Sequence, residues 1–330
     1  MADQMTPRER VQAALQGRPV DRPPVSMWRH FFAEEGEPLR MAEAMLAFQH
    51  AYRWDFIKVN PRASYHVEDW GVRVRYTGDS PPHVVEWPIK RPDDWLALEP
   101  LDVTKGVLGQ HLEALRVVVR GAGPEVPVVM TLFSPLSLLG RLANSEEVAA
   151  AHLRLYPEKV AYALEVITDT FTRFARACLE AGASGLFFAT TGWATAQRLS
   201  RDEYARWGRP YDLRLLRSLP PAPFHLLHVC RDYAFVADLR DYPVHAVNWD
   251  AYGEGNPSLP QGKGLLGRCV VGGIPHRTLL VHGTPQEIAR VVTALRREMG
   301  ETGWMLGPGC TFPPNAPEAN LRAVRDALEG

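Results

Sequence analysis

The stretch FHLLHVC, residues 224–230, ends in His228 and Cys230, two positions apart. On a strand, side chains two apart point to the same side, so an imidazole and a thiol can converge on one point. Cys310 follows in LGPGCTFPP, a Gly- and Pro-rich segment 80 residues beyond Cys230. Between them Asp250 closes the apolar run VHAVNWD. Thiolate, imidazole and carboxylate are the ligands zinc takes in tetrahedral sites. A zinc ion held by two thiolates is a weak Lewis acid for water and a good host for an incoming thiol, which it keeps as the thiolate at neutral pH. His228, Cys230 and Cys310 are therefore read as metal ligands and catalytic residues. Asp250 reads as a fourth, displaceable ligand, as a helix cap, or as a carboxylate orienting a neighbour. The other two cysteines, Cys178 inside a helical pattern and Cys269 at a strand start, read as packed thiols.

These residues need a scaffold that brings distant strand ends together. Short apolar runs alternate with amphipathic stretches along the chain. Strands are expected at 23–28, 55–60, 126–133, 183–190, 224–230, 244–250, 269–274 and 304–309. Helices are expected at 37–52, 111–123, from 134, 145–182 with a break near Pro157, 200–219, 232–242, 284–300 and at the C-terminus. Parallel βα units in this number predict an α/β fold, a single-domain (β/α)8 TIM barrel over residues 1–330, with an irregular insertion at about 66–100. A doubly wound sheet is the second choice, since no GxGxxG follows the first strand. Barrel sites form at the C-terminal strand ends. Arg29, His30, Asn60, Arg62, Thr190, Thr191 and Trp193 fall at such ends and are candidate substrate-binding residues. A rim arginine suits a carboxylate or sulfonate. Glu68 and Asp69 read as solvated charges in a mobile segment.

Of the 330 residues, 46% are hydrophobic and 23% charged, enough for a large core. A net charge of −1 argues against nucleic acid or an anionic membrane as an obligatory partner. The N-terminal stretch MADQMTPRERVQAALQG reads as a charged amphipathic helix without the apolar core of a signal peptide. No apolar run reaches the ~18 residues of a membrane span. A cytoplasmic protein is expected, in which four cysteines are not a disulfide framework.

Nearly the whole chain resembles the uroporphyrinogen decarboxylase superfamily. The opening TPRERVQAALQGRPVDRPPVSMW, the second-strand region DFIKVNPRASYHVEDWG, the unit ASGLFFATTGWATAQRLSRDEYARWGRPY, the strand HLLHVC and the closing GCTFPPNAPEANLRAVRDAL carry the likeness. In motif it is similar to the zinc-dependent methylcobamide:coenzyme M methyltransferases and, more distantly, to cobalamin-independent methionine synthase. The resemblance implies a barrel, Zn2+ on His228, Cys230 and Cys310, and Asp250 at the place of a further carboxylate ligand. It implies a methyltransferase that moves a methyl group from a methylated corrinoid to a thiol, with a separate corrinoid protein as partner and pairing into a homodimer. Decarboxylases of the superfamily carry Arg-Gln-Ala-Gly-Arg-Tyr after the first strand, where this chain has MWRHFFAEEG and keeps Arg29. Their aspartate falls on Asn60, their tyrosine near Arg141, and their Gly-His-Gly on Gly307-Pro308-Gly309. A metal-free lyase acting on a carboxylated small molecule is the alternative enzyme. A barrel with a closed structural zinc site is the non-enzymatic one.

Overall fold

The structure is a computed structural model that describes residues 5–329. The first four residues of the expected N-terminal helix and Gly330 lie outside the described residues; the helix itself spans Pro7–Leu15, with Thr6 and Glu9 in a reciprocal cap. The strands are β1 (Ile57–Val59), β2 (Arg73–Arg75), β3 (His83–Glu86), β4 (Val128–Phe133), β5 (Gly185–Thr190), β6 (Leu226–Val229), β7 (Ala246–Trp249), β8 (Cys269–Ile274) and β9 (Trp304–Pro308). Seven of them form one parallel sheet in the order β1-β4-β5-β6-β7-β8-β9, while β2 and β3 pair antiparallel. Among the described residues no helix is long and apolar enough to cross a membrane.

The sheet curls around its own apolar cluster. Phe56, Val129, Phe187, Leu226, Ala246, Val271 and Met305 pack together inside. Two residues further along each strand, the same inward direction holds Lys58, Thr131, Ala189, His228, Asn248, Gly273 and Gly307. Period-two alternation thus builds an apolar floor and a mostly polar or small upper layer. The outer faces of the strands pack on the helices, which explains near-continuous apolar runs such as fully buried Gly185–Thr190.

The expected strand at 23–28 appears as a single parallel bridge, Val25 to Leu306. Pro23 and Pro24 have no N–H to donate, which limits the ladder. Ser26 N–H still donates to Leu306 O at 3.1 Å, Leu306 N–H to Pro24 O at 2.8 Å, and Asp55 N–H to Val25 O at 2.8 Å. The segment therefore lies between β9 and the approach to β1. Buried Asp55 fixes it: one carboxylate oxygen meets Arg10 Nη1 at 2.6 Å, the other meets Arg22 Nη1 at 2.6 Å and Val25 N–H at 2.8 Å.

Other departures have local causes. The helix expected at 111–123 starts earlier, at Gly106, because Asp69 accepts from Val107 and Leu108 N–H at 2.9 Å each. Asp69 is a cap rather than a solvated charge, and Glu68 pairs with Arg62 at 3.1 Å. Residues 66–100 hold the β2–β3 hairpin and a 3-10 turn at Pro92–Ala97. The helix expected at 200–219 is two, Arg201–Trp207 and Arg209–Arg217, joined at Gly208, whose Cα lies where an added Cβ would meet the Tyr204 ring at 2.4 Å. Residues 232–242 give only a 3-10 turn, Val236–Leu239.

Between these helices Asp212 is fully buried and accepts from Tyr204 Oη at 2.8 Å and Tyr242 Oη at 2.9 Å. Burial pushes its carboxyl up from 3.8 to about 7, against the two tyrosine donors. The native state then keeps a proton that the unfolded chain releases, so stability is full below about pH 4 and falls as pH rises through about 7. Asp212→Asn should flatten that slope, read as denaturation midpoints from pH 4 to 8.

Candidate metal centre

His228 is the third residue of β6 and is 2% exposed. Its ring stacks on Phe187 of β5, centroids 5.2 Å apart. Nδ1 lies 2.6 Å from Asn248 Oδ1. The Asn248 amide nitrogen donates to Val271 O at 2.8 Å and Pro308 O at 3.0 Å, so the amide oxygen must face the imidazole and Nδ1 must carry the proton. That leaves the Nε2 lone pair aimed at the thiols: Cys310 Sγ is 3.5 Å from Nε2 and 3.9 Å from Cys230 Sγ. One ligand atom from each of His228, Cys230 and Cys310 lies within 4.8 Å of the others. The strand register accounts for this. His228 pairs beside Ala189 and Asn248, and Cys230 and Cys310 each leave the end of a strand of the same sheet.

Cys310 is held well below the ordinary thiol range by its contact with Cys230, against its burial, with His228 and His276 helping. The same contact and burial hold Cys230 well above it. Cys178 and Cys269 are fully buried elsewhere, and burial raises both thiols, Cys269 to about 12. They are packed and unreactive.

Asp250 stands outside this group of three. Its Oδ1 accepts from Tyr252 N–H at 3.1 Å and its Oδ2 lies 3.8 Å from Nδ1 of buried His276. It also flanks the backbone entering Cys310, since a Cβ on Gly309 would fall 2.8 Å from Asp250 Cα.

A cavity of about 340 Å³ opens on the three residues. Of the rim candidates, His30, Asn60 and Thr191 line it. His30 Nδ1 bonds to Glu35 Oε1 at 2.5 Å, and Thr191 Oγ1 is buried with no partner. The others are engaged elsewhere. Arg29 donates to Pro314 O at 3.0 Å and lies over Phe31 and Phe48, while Arg62 is tied to Glu68. Thr190 donates to His228 O at 3.2 Å, and Trp193 is fully buried against Gly140. Sequence reasoning missed Lys58, Asn248, Arg231 and Arg277, and met Arg141 only as a departure from a family pattern. A signal for Lys58 was present: a lysine inside the apolar run DFIKVN, on the face of the following Asn60.

A parallel sheet wrapped around an apolar interior, with a thiol and imidazole cluster at its strand ends, defines an α/β enzyme-type scaffold. The chain belongs to the uroporphyrinogen decarboxylase (URO-D) family, whose model matches residues 6–330. A methylcobamide:CoM methyltransferase of Methanosarcina acetivorans is 21% identical over 97% of this chain and 96% of its own. A uroporphyrinogen decarboxylase of Thermus thermophilus is 27% identical over 74% and 71%. Among solved structures, a methyltransferase from Methanosarcina mazei superposes with a TM-score of 0.85 at 22% identity, covering 99% of both chains. A B12-independent methionine synthase from a Shewanella species gives 0.59 at 13% identity over 88% and 87%. Relatives of this kind are methyltransferases or decarboxylases, and the chain is an enzyme of that family.

Proposed function

We propose that this protein is a zinc-dependent methyltransferase that moves a methyl group from a methylated corrinoid to a thiol. The observation that carries the reading is the convergence of Cys230, Cys310 and the Nε2 side of His228 within 4.8 Å. Two thiols and one oriented imidazole are a zinc donor set that leaves room for one more ligand. The ion would supply the Lewis acidity that keeps an acceptor thiol as its thiolate at neutral pH. Asn248 holds the His228 tautomer, and Asp250 with His276 supports the chain around Cys310. In the transfer, the acceptor S–CH3 bond would form as the donor cobalt–CH3 bond breaks with its electron pair staying on cobalt, and the thiol proton would leave to solvent. The sheet and residues 23–28 are read together as a single-domain (β/α)8 barrel, the setting for such strand-end chemistry. The donor would arrive on a separate corrinoid protein, in the cytoplasm, with the chain paired as a homodimer.

The test is to incubate zinc-loaded protein with methylcobalamin and 2-mercaptoethanol and to follow the cobalamin spectrum together with thioether formation. Stoichiometric thioether supports the reading; demethylation absent across a panel of thiols removes it. Asn248→Ala should weaken zinc about 10- to 100-fold in chelator competition, because the imidazole loses the acceptor that fixes its tautomer.

A further inference from the structure

Basic side chains outnumber acidic ones around the cavity over the cysteines. Lys58 forms part of its floor, is 7% exposed, and lies 4.6 Å over the Phe187 ring. Among the described residues it donates to Asn60 Oδ1 at 2.9 Å and forms no ion pair; burial lowers its ammonium to about 7, against the nearby Cys310 and Glu35. Arg141, Arg231 and Arg277 also line the cavity, and among the described residues none of them forms an ion pair. The single lining carboxylate, Glu146, is already held by Arg198 at 2.6 Å.

All three arginines are solvent-exposed at the cavity mouth, and local features fix two of them. Arg231 directly follows Cys230 and has a φ of 85°, a left-handed backbone that a side chain larger than glycine's disfavours. Arg141 lies over the Phe133 ring at 5.3 Å, and it also lines a second hollow of about 320 Å³ next to the first. An acidic group entering the cavity can take charge-assisted hydrogen bonds from guanidiniums that no carboxylate already holds.

We infer that the molecule occupying this cavity carries at least two acidic groups, carboxylate, sulfonate or phosphate, held by Lys58 and by Arg141, Arg231 and Arg277. Resting on the proposed reaction, that molecule is the acceptor: a thiol with two or more acidic groups rather than a neutral or singly charged one. The three arginines then set specificity, a role the sequence suggested for Arg29 and Arg62.

Two measurements test this. The first uses the metal-free chain and succinate as a dianion without sulfur, followed by calorimetry. Wild type should bind succinate, and Arg141→Met and Arg277→Met should each weaken it about tenfold or more, as expected when a charge-assisted contact is lost. Equal binding by wild type and both variants, or none by any, overturns the inference. The second compares 2-mercaptoethanol, thioglycolate and 2-mercaptosuccinate as acceptors for the zinc-loaded chain. KM should fall in that order, and the preference for 2-mercaptosuccinate should collapse in Arg277→Met. No charge preference overturns the acceptor assignment. Arginine-dependent succinate binding with no methyl transfer to any thiol would leave the dianion site standing and remove the proposed reaction instead.

Discussion

Cys310→Ala should abolish methyl transfer to thiols while leaving a folded chain. Cys310 follows the last strand of the sheet and is half-buried, so truncating it should leave the core packed. Structural zinc is bound by about 10–16 kcal/mol in all, so one ligand of four is worth roughly 3 kcal/mol, or on the order of a hundredfold in affinity. Activity should fall at least as far, because the ion would be both weakly held and wrongly directed. The comparison is Cys178→Ala. That thiol is fully buried in the helix Pro157–Glu180 and is not one of the three clustered residues. It should lower the denaturation midpoint and leave turnover per folded molecule unchanged. Loss of turnover in Cys178→Ala with retention in Cys310→Ala would reverse the roles assigned here.

Asp55→Ala should be among the most destabilising single changes in the molecule. Asp55 is fully buried and bridges Arg10, itself fully buried, and Arg22, 4% exposed. Removing the carboxylate leaves two guanidiniums in the interior with one counter-ion fewer. Breaking a buried pair in this way costs about 3–5 kcal/mol, against a total stability of about 5–15 kcal/mol for a typical domain. The loss also frees the Val25 N–H that Asp55 accepts at 2.8 Å, and so loosens residues 23–28 between β9 and β1. Asp55→Asn keeps the shape but not the charge and should lose nearly as much. The measurement is the urea midpoint of wild type and both variants. A shift within that of an exposed control such as Glu113→Ala would show that the cluster does not hold the sheet edge.

The convergence of His228, Cys230 and Cys310 was legible in the sequence for a simple reason. Strand periodicity puts His228 and Cys230 on one face, and the parallel order puts every strand end on one rim. The apolar runs marked the seven sheet strands for the same reason, since strands buried on both faces read as continuous apolar stretches. Elements whose form depends on partners far in sequence were harder. Residues 23–28 look like a strand, yet two prolines reduce the ladder to the Val25 bridge. Asp69 looks solvated until the helix it caps is in place. The rim arginines show the same limit most clearly. Arg29 and Arg62 sit at strand ends but turn to Pro314 O and Glu68, whereas Arg141, Arg231 and Arg277 come from three separate elements to one cavity. Direction of a long side chain is a tertiary property, whereas the short side chains at or just past strand ends were set by local geometry.

The central claim is that His228, Cys230 and Cys310 hold zinc. Metal content by mass spectrometry, on wild type and Cys310→Ala purified without chelator, tests it most directly. The account predicts about one zinc per chain in wild type and little in the variant, in keeping with a single site of this donor set. A wild-type chain that stays metal-free after anaerobic reconstitution with zinc would contradict it.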